Sequence, residues 1–109
     1  MKSLNFSLLK EKLLNNEKNQ TIRCKFIPQF KIGEIIKITY QKEFLFYAII
    51  THIYPKQLKD INNDEAKRDG FESKIECIKA LKKLNNIKDL DHWCFIIRFK
   101  RIKALDSYF

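Results

Sequence analysis

The sequence predicts an α+β fold, on three observations. Runs rich in aromatic and β-branched residues are interleaved with segments of helical periodicity in the order helix, strands, two helices, strand. That order lacks the regular β-α-β alternation of a doubly wound parallel sheet. Only two glycines occur in 109 residues, so no Gly-rich phosphate loop is present, which argues against a nucleotide-triphosphate or dinucleotide enzyme.

The first element is expected between Leu4 and Leu14. There Phe6, Leu9 and Leu13 recur at helical spacing around Lys10, Glu11 and Lys12, and Asn15 and Asn16 end the pattern. An extended segment from Gln20 to Phe26 follows, until Pro28 breaks the path. Gly33 marks a turn, after which Ile36, Ile38 and Tyr40 alternate along a strand. The run EFLFYAIITHIY is apolar on both faces and predicts a central strand closed by Pro55. Asn62 and Glu65 have the spacing of a capping box for a short helix, and Gly70 stands where a helix end needs positive φ. Ser73 and Glu76 repeat the device for a helix whose inner face is Cys77, Ile78, Leu81 and Leu84, with Lys79, Lys82 and Lys83 toward solvent. In the final strand Trp93, Phe95, Ile97 and Phe99 form an apolar face, and Cys94, Ile96, Arg98 and Lys100 form a second face that turns basic. The residues from Arg101 to Phe109 are expected to be a loose tail or a short docking strand.

Composition narrows the function. The length fits one domain over residues 1–109, and 45% hydrophobic residues supply a core. The longest apolar run, Phe44 to Ile50, is far shorter than a membrane span, and the charges at Lys10, Glu11 and Lys12 do not fit a signal peptide. The expectation is a cytoplasmic monomer with no membrane partner. Three cysteines, Cys24, Cys77 and Cys94, leave an odd thiol under any pairing and read as reduced, buried residues. A net charge of +9 points to a polyanion such as RNA. A chain rich in Lys, Asn and Ile also arises from nucleotide bias in a genome, and most surface lysines are simply solvated. His52, and His92 with Cys94, lack a second pair at zinc spacing, so neither a metal nor another cofactor is expected.

The segments EKNQTIR, FKIGEIIKI, IITHIY, DEAKRDGF and WCFIIRF stand in an order and spacing that resembles the ASCH domain, a branch of the PUA-like superfamily. The resemblance runs from about Phe6 to Lys100. It implies a small, mostly antiparallel β-barrel flanked by helices, and a cleft lined by the Lys-x-x-Thr-x-Arg segment and an acidic turn between helices. PUA-like domains bind RNA or modified bases, and some small ASCH proteins are amidohydrolases that deacetylate N4-acetylcytidine with a lysine, a threonine and a glutamate. Lys18 and Thr21 match the first two of these, Arg23 matches an arginine of the motif, and Asp69 falls at the glutamate position, one methylene shorter.

Two functions follow from that resemblance. In the binding reading, Arg23 supplies a planar fork for phosphate or a base edge, Lys18 and Lys25 add charge, and Thr21 and Asp69 complete the cleft. Phe26, Phe30 and Tyr47 are the candidates for base stacking, Phe30 foremost, against the alternative that each is core packing. In the amidohydrolase reading, Thr21 attacks the acyl carbon, Lys18 takes its proton and Asp69 serves the leaving amine. Against both stands an ordinary Lys18–Asp69 ion pair that pins the helices to the barrel, with Thr21 chosen for its strand propensity. Lys79, Lys82, Lys83, Arg101 and Lys103 either extend a phosphate track or form a solvated face, and a third reading gives the basic face an acidic protein partner.

Overall fold

Leu4 and Phe6 are both buried, a period-two pattern that makes the amino-terminal segment a strand rather than a helix. In the computed structural model, which describes residues 1–25 and 27–108 apart from the side chains of residues 107 and 108, β1 spans Ser3–Phe6 and the helix α1 is confined to Lys10–Leu14. The expected helix from Leu4 is thereby corrected. The helical spacing of Phe6, Leu9 and Leu13 is overridden by parallel pairing of Ser3–Phe6 with Lys37–Tyr40, a contact that local periodicity does not encode.

The other strands are β2 (Gln20–Arg23), β3 (Ile35–Tyr40), β4 (Glu43–Gln57) and β5 (Trp93–Arg101), and the sheet order is β1-β3-β4-β5-β2. Apart from β1–β3 the pairings are antiparallel, and the sheet curls into a half-barrel with helices α2 (Asn63–Arg68) and α3 (Lys74–Asn85) beside it. β4 runs through Pro55, which corrects the strand end that the sequence predicts there. Beyond Ile49 β4 has lost β3 and keeps only β5, so this stretch has an open edge where a missing N–H costs no ladder bond.

Two apolar clusters hold the sheet. One joins Leu4, Phe6, Leu13, Ile36, Ile38, Phe46, Ala48, Ile50, Ile97 and Phe99. The other packs Ile22, Cys94 and Ile96 of the sheet against Leu58, Ile61, Ala66, Cys77, Leu81 and Ile87 of the helical segment. β5 feeds both, with adjacent Ile96 and Ile97 each buried, and its register against β4 shifts between Ile50 and His52. Trp93, expected in the apolar face, is 60% exposed where the strand begins.

The helix signals behave as their chemistry dictates. The Asn62 side chain accepts from Glu65 N and the Glu65 carboxylate accepts from Asn62 N, closing the capping box. Ser73 caps α3 through Glu76 N. Within α3, Cys77 and Leu81 are buried as expected, whereas Leu84 is 65% exposed. Cys24 and Cys94, facing one another across the β2–β5 pair, form a disulfide, which corrects the expectation of three reduced thiols; only Cys77 is free, and burial pushes its thiol up to about 12. After β5 the chain enters a 3-10 helix at Lys103–Tyr108 rather than a strand, held by Arg101, which pairs with Asp106 at 3.0 Å and lies over the Phe46 ring. Among the described residues no helix is long and apolar enough to cross a membrane.

Two glycines have positive φ, Gly33 at 90° and Gly70 at 94°, but only Gly70 is crowded: a Cβ there would lie 2.7 Å from Leu9 Cδ1. Gly70→Ala is expected to cost about 2 kcal/mol and Gly33→Ala about 1 kcal/mol, because the first adds a clash to backbone strain. Chemical denaturation of both variants checks this; equal losses would contradict it.

Candidate functional site

The short strand β2 places the residues that matter. Thr21 and Arg23 sit two apart and share one face, while Ile22 between them points into the helix-side cluster. Just before the strand, Asn19 N donates to Arg68 O at 3.0 Å and the buried Gln20 side chain donates to Glu65 O at 2.9 Å. Arg98 of β5 donates to the other end of that amide. These bonds fasten β2 to α2, and so bring the corner after α2 against the strand. Glu65 anchors the corner from below. Burial pushes its carboxylate up, but bonds from Lys56, Asn62 and Tyr54 more than offset this and leave it below the ordinary value.

At the corner Asp69 ends α2 and meets Lys18, and both are nearly fully buried. The Lys18 ammonium donates to the Asp69 carboxylate and, at 2.6 Å, to the Asp69 carbonyl. It also lies 5.2 Å from the centroid of the Phe6 ring. The backbone N–H of Ile22 donates to the same carboxylate, so Asp69 satisfies part of the free edge of β2. Burial pushes the Asp69 carboxyl up to about 6, against the pull of Lys18 and Arg23.

Arg23 spans the open side of the half-barrel. Its Nε donates to Thr21 Oγ1 at 2.8 Å, its Nη2 donates to Asn5 O of β1 at 2.9 Å, and its guanidinium lies 5.2 Å from the Phe6 centroid. Burial lowers its pKa, with Asp69 opposing. The residues Lys18, Thr21, Arg23, Lys25 and Asp69 all line one cavity of about 390 Å³, together with Phe6, Leu8, Leu9, Phe71, Leu84 and Asn85. The five residues expected to form one cleft therefore line one cavity.

The expected aromatics do not converge with them. Phe30 lines a neighbouring cavity of about 460 Å³ with Lys2, Ser3, Leu4, Asn5, Arg23 and Gln29. Tyr47 is buried in β4 against Phe44, and Phe26 lies outside the described residues. The ring that does face Lys18 and Arg23 is Phe6, missed because a helical reading of the amino terminus gave it no reason to meet β2. His92 is a satisfied structural residue, donating from Nε2 to Cys24 O at 2.7 Å, and no cluster of three metal-ligating side chains occurs among the described residues.

The sequence matches no protein-family model and no curated protein. Solved structures do match its fold. An ASCH domain from Lactobacillus crispatus superposes with a TM-score of 0.72 at 13% identity over 92% of this chain and 79% of that one. A hypothetical protein gives 0.68 at 18% identity over 94% of this chain and all of that one, and a DUF984 protein from Enterococcus faecalis gives 0.66 at 10% identity over 94% and 81%.

Because Asp69 is raised in the folded state, its contribution to stability is present below its unfolded value near 4 and is lost as pH rises through about 6. The carboxyl carbon of Asp69 is expected to titrate near pH 6 in NMR spectra, and to move higher in Lys18→Ala, which removes the favourable charge. A midpoint near 4 in both proteins would contradict the buried pair. The half-barrel, its strand order and these neighbours establish that the chain has the same fold as that ASCH domain.

Proposed function

We propose that this chain is an ASCH-family protein that binds RNA or a nucleoside in the cleft formed by Lys18, Thr21, Arg23, Lys25 and Asp69. The observation that carries the proposal is the convergence of these five side chains on one cavity at the open side of the half-barrel. Its volume falls within the range of about 300–1,000 Å³ usual for small-molecule sites. Its polar groups suit a base edge: Lys18 donates, the Asp69 carboxylate accepts, and the Thr21 hydroxyl does either. Arg23 and Lys25 supply charge for phosphate, and the Phe6 ring gives an apolar wall. The formal charge of +9 favours encounter with a polyanion at low salt.

A labelled single-stranded RNA of about ten nucleotides, followed by fluorescence anisotropy in low salt, tests this reading. Arg23→Ala is expected to weaken binding at least fivefold, and Lys83→Ala on the exposed side of α3 less than twofold. Equal losses would reduce the interaction to diffuse charge. No binding at all would remove the RNA reading.

A second reading, amidohydrolysis of an N4-acylated cytidine, is favoured by Thr21, Lys18 and Asp69 sharing that cavity. Thr21 Oγ would attack the acyl carbon and give up its proton to a neighbouring base. The C–N bond would break as the cytosine amine takes a proton, which a carboxyl titrating near 6 is suited to exchange at neutral pH. Water would then release the acyl group as a carboxylic acid. Cytidine released from N4-acetylcytidine and lost in Thr21→Val is the expected result; release that survives Thr21→Val, or no release, would count against it.

A further inference from the structure

The cavity around Lys18 and the one around Phe30 have two residues in common, Asn5 and Arg23. They therefore adjoin along the gap between the edge strands β1 and β2, with the Arg23 guanidinium at the waist, tied to Asn5 O on one side and to Thr21 Oγ1 on the other. Their walls differ in chemistry. The first carries a buried carboxylate and ammonium among apolar residues, whereas the second is apolar at Leu4 and Phe30, with Lys2 and Gln29 at its rim.

We propose that the two cavities are adjacent nucleotide subsites of one single-stranded RNA site. One base enters the Lys18–Asp69 cavity, its neighbour stacks on Phe30, and the phosphodiester between them lies on Arg23. This deepens the RNA or nucleoside reading above and rests on it. The division of labour follows from the walls. Donors and acceptors in the first cavity can discriminate a base edge, while an aromatic ring in an apolar cavity accepts any base by its face.

The charge between the cavities suits a phosphate. No carboxylate lies within ion-pair distance of Arg23 or Lys25 among the described residues, and two of the guanidinium nitrogens, Nε and Nη2, are held by the protein, which fixes the orientation of the third. Lys2 at the far rim is instead paired with Glu34 at 3.6 Å, whereas the Asp69 carboxylate acts on Arg23 only from beyond ion-pair distance. A free nucleoside makes no use of that charge; a nucleotide step does. Phe30 is partly buried, packs against the barrel core and contributes to the lining of the second cavity.

Calorimetry with the full chain tests the proposal, using a nucleoside, its 3′-monophosphate and the dinucleoside monophosphate in both cytosine and adenine forms. The dinucleoside monophosphate is expected to bind at least tenfold more tightly than the mononucleotide, the gain of one base–aromatic stack. Phe30→Ala should abolish that gain, and Phe30→Leu, which keeps apolar packing without the ring, should do the same. Arg23→Ala should weaken the mononucleotide and the dinucleotide but much less the nucleoside. A dinucleotide that binds no better than the mononucleotide overturns the two-subsite arrangement while leaving the nucleoside reading intact. Absence of binding by all ligands overturns the nucleoside reading and this proposal with it. A short poly-glutamate peptide that competes as well as the dinucleotide would assign the waist to an acidic protein and also overturn it.

Discussion

The Lys18–Asp69 pair is the interaction on which the rest of the site depends. Two buried charges lose several kcal/mol each in hydration, and their attraction offsets this only where further hydrogen bonds complete the geometry. Here the Asp69 carbonyl, the Ile22 N–H and the face of the Phe6 ring offset part of that loss, and the remainder holds the Asp69 carboxyl up at about 6. Breaking such a pair from one side typically costs about 3–5 kcal/mol, because the partner is left buried and alone. The corner after α2 is thus held against β2 by the same atoms that form the floor of the cavity. A structural pin and the proposed binding role are not competing descriptions of these two residues.

The half-barrel creates the opening that the pair occupies. A sheet that curls without closing leaves two edges, and exposed edges carry unpaired backbone groups. In this protein side chains meet part of that need: Asp69 accepts from the edge N–H of Ile22, and Arg23 donates to the edge carbonyl of Asn5. The gap is therefore polar and basic without being paired strand to strand. Gly70 lets the corner approach, since its backbone packs against Leu9 and its carbonyl accepts from Lys12 at 2.6 Å.

What could be read from the sequence was what local chemistry determines. The capping box of Asn62 and Glu65, the Ser73 cap and the positive φ of Gly70 each depend on a few neighbouring residues, and all three appear as expected. The grouping of Lys18, Thr21, Arg23 and Asp69 came from the family resemblance rather than from periodicity, and Lys25 was added for its charge. What escaped was non-local. β1 exists because β3 lies beside it, β4 continues through Pro55 because its other edge is empty, and Cys24 meets Cys94 across 70 residues of sequence. The role of Phe6 was hidden by the same error that hid β1, and Phe30 lies in a separate cavity that no spacing rule would reveal.

The central claim is that ligand enters the gap between β1 and β2 rather than spreading over the basic surface. The most direct measurement is an amide chemical-shift titration with a short single-stranded RNA. The account predicts perturbations concentrated at Phe6, Thr21, Arg23 and Gly70, with little change along α3 at Lys79 and Lys83. Shifts confined to the α3 lysines, with the β2 and Gly70 amides unmoved, would contradict it.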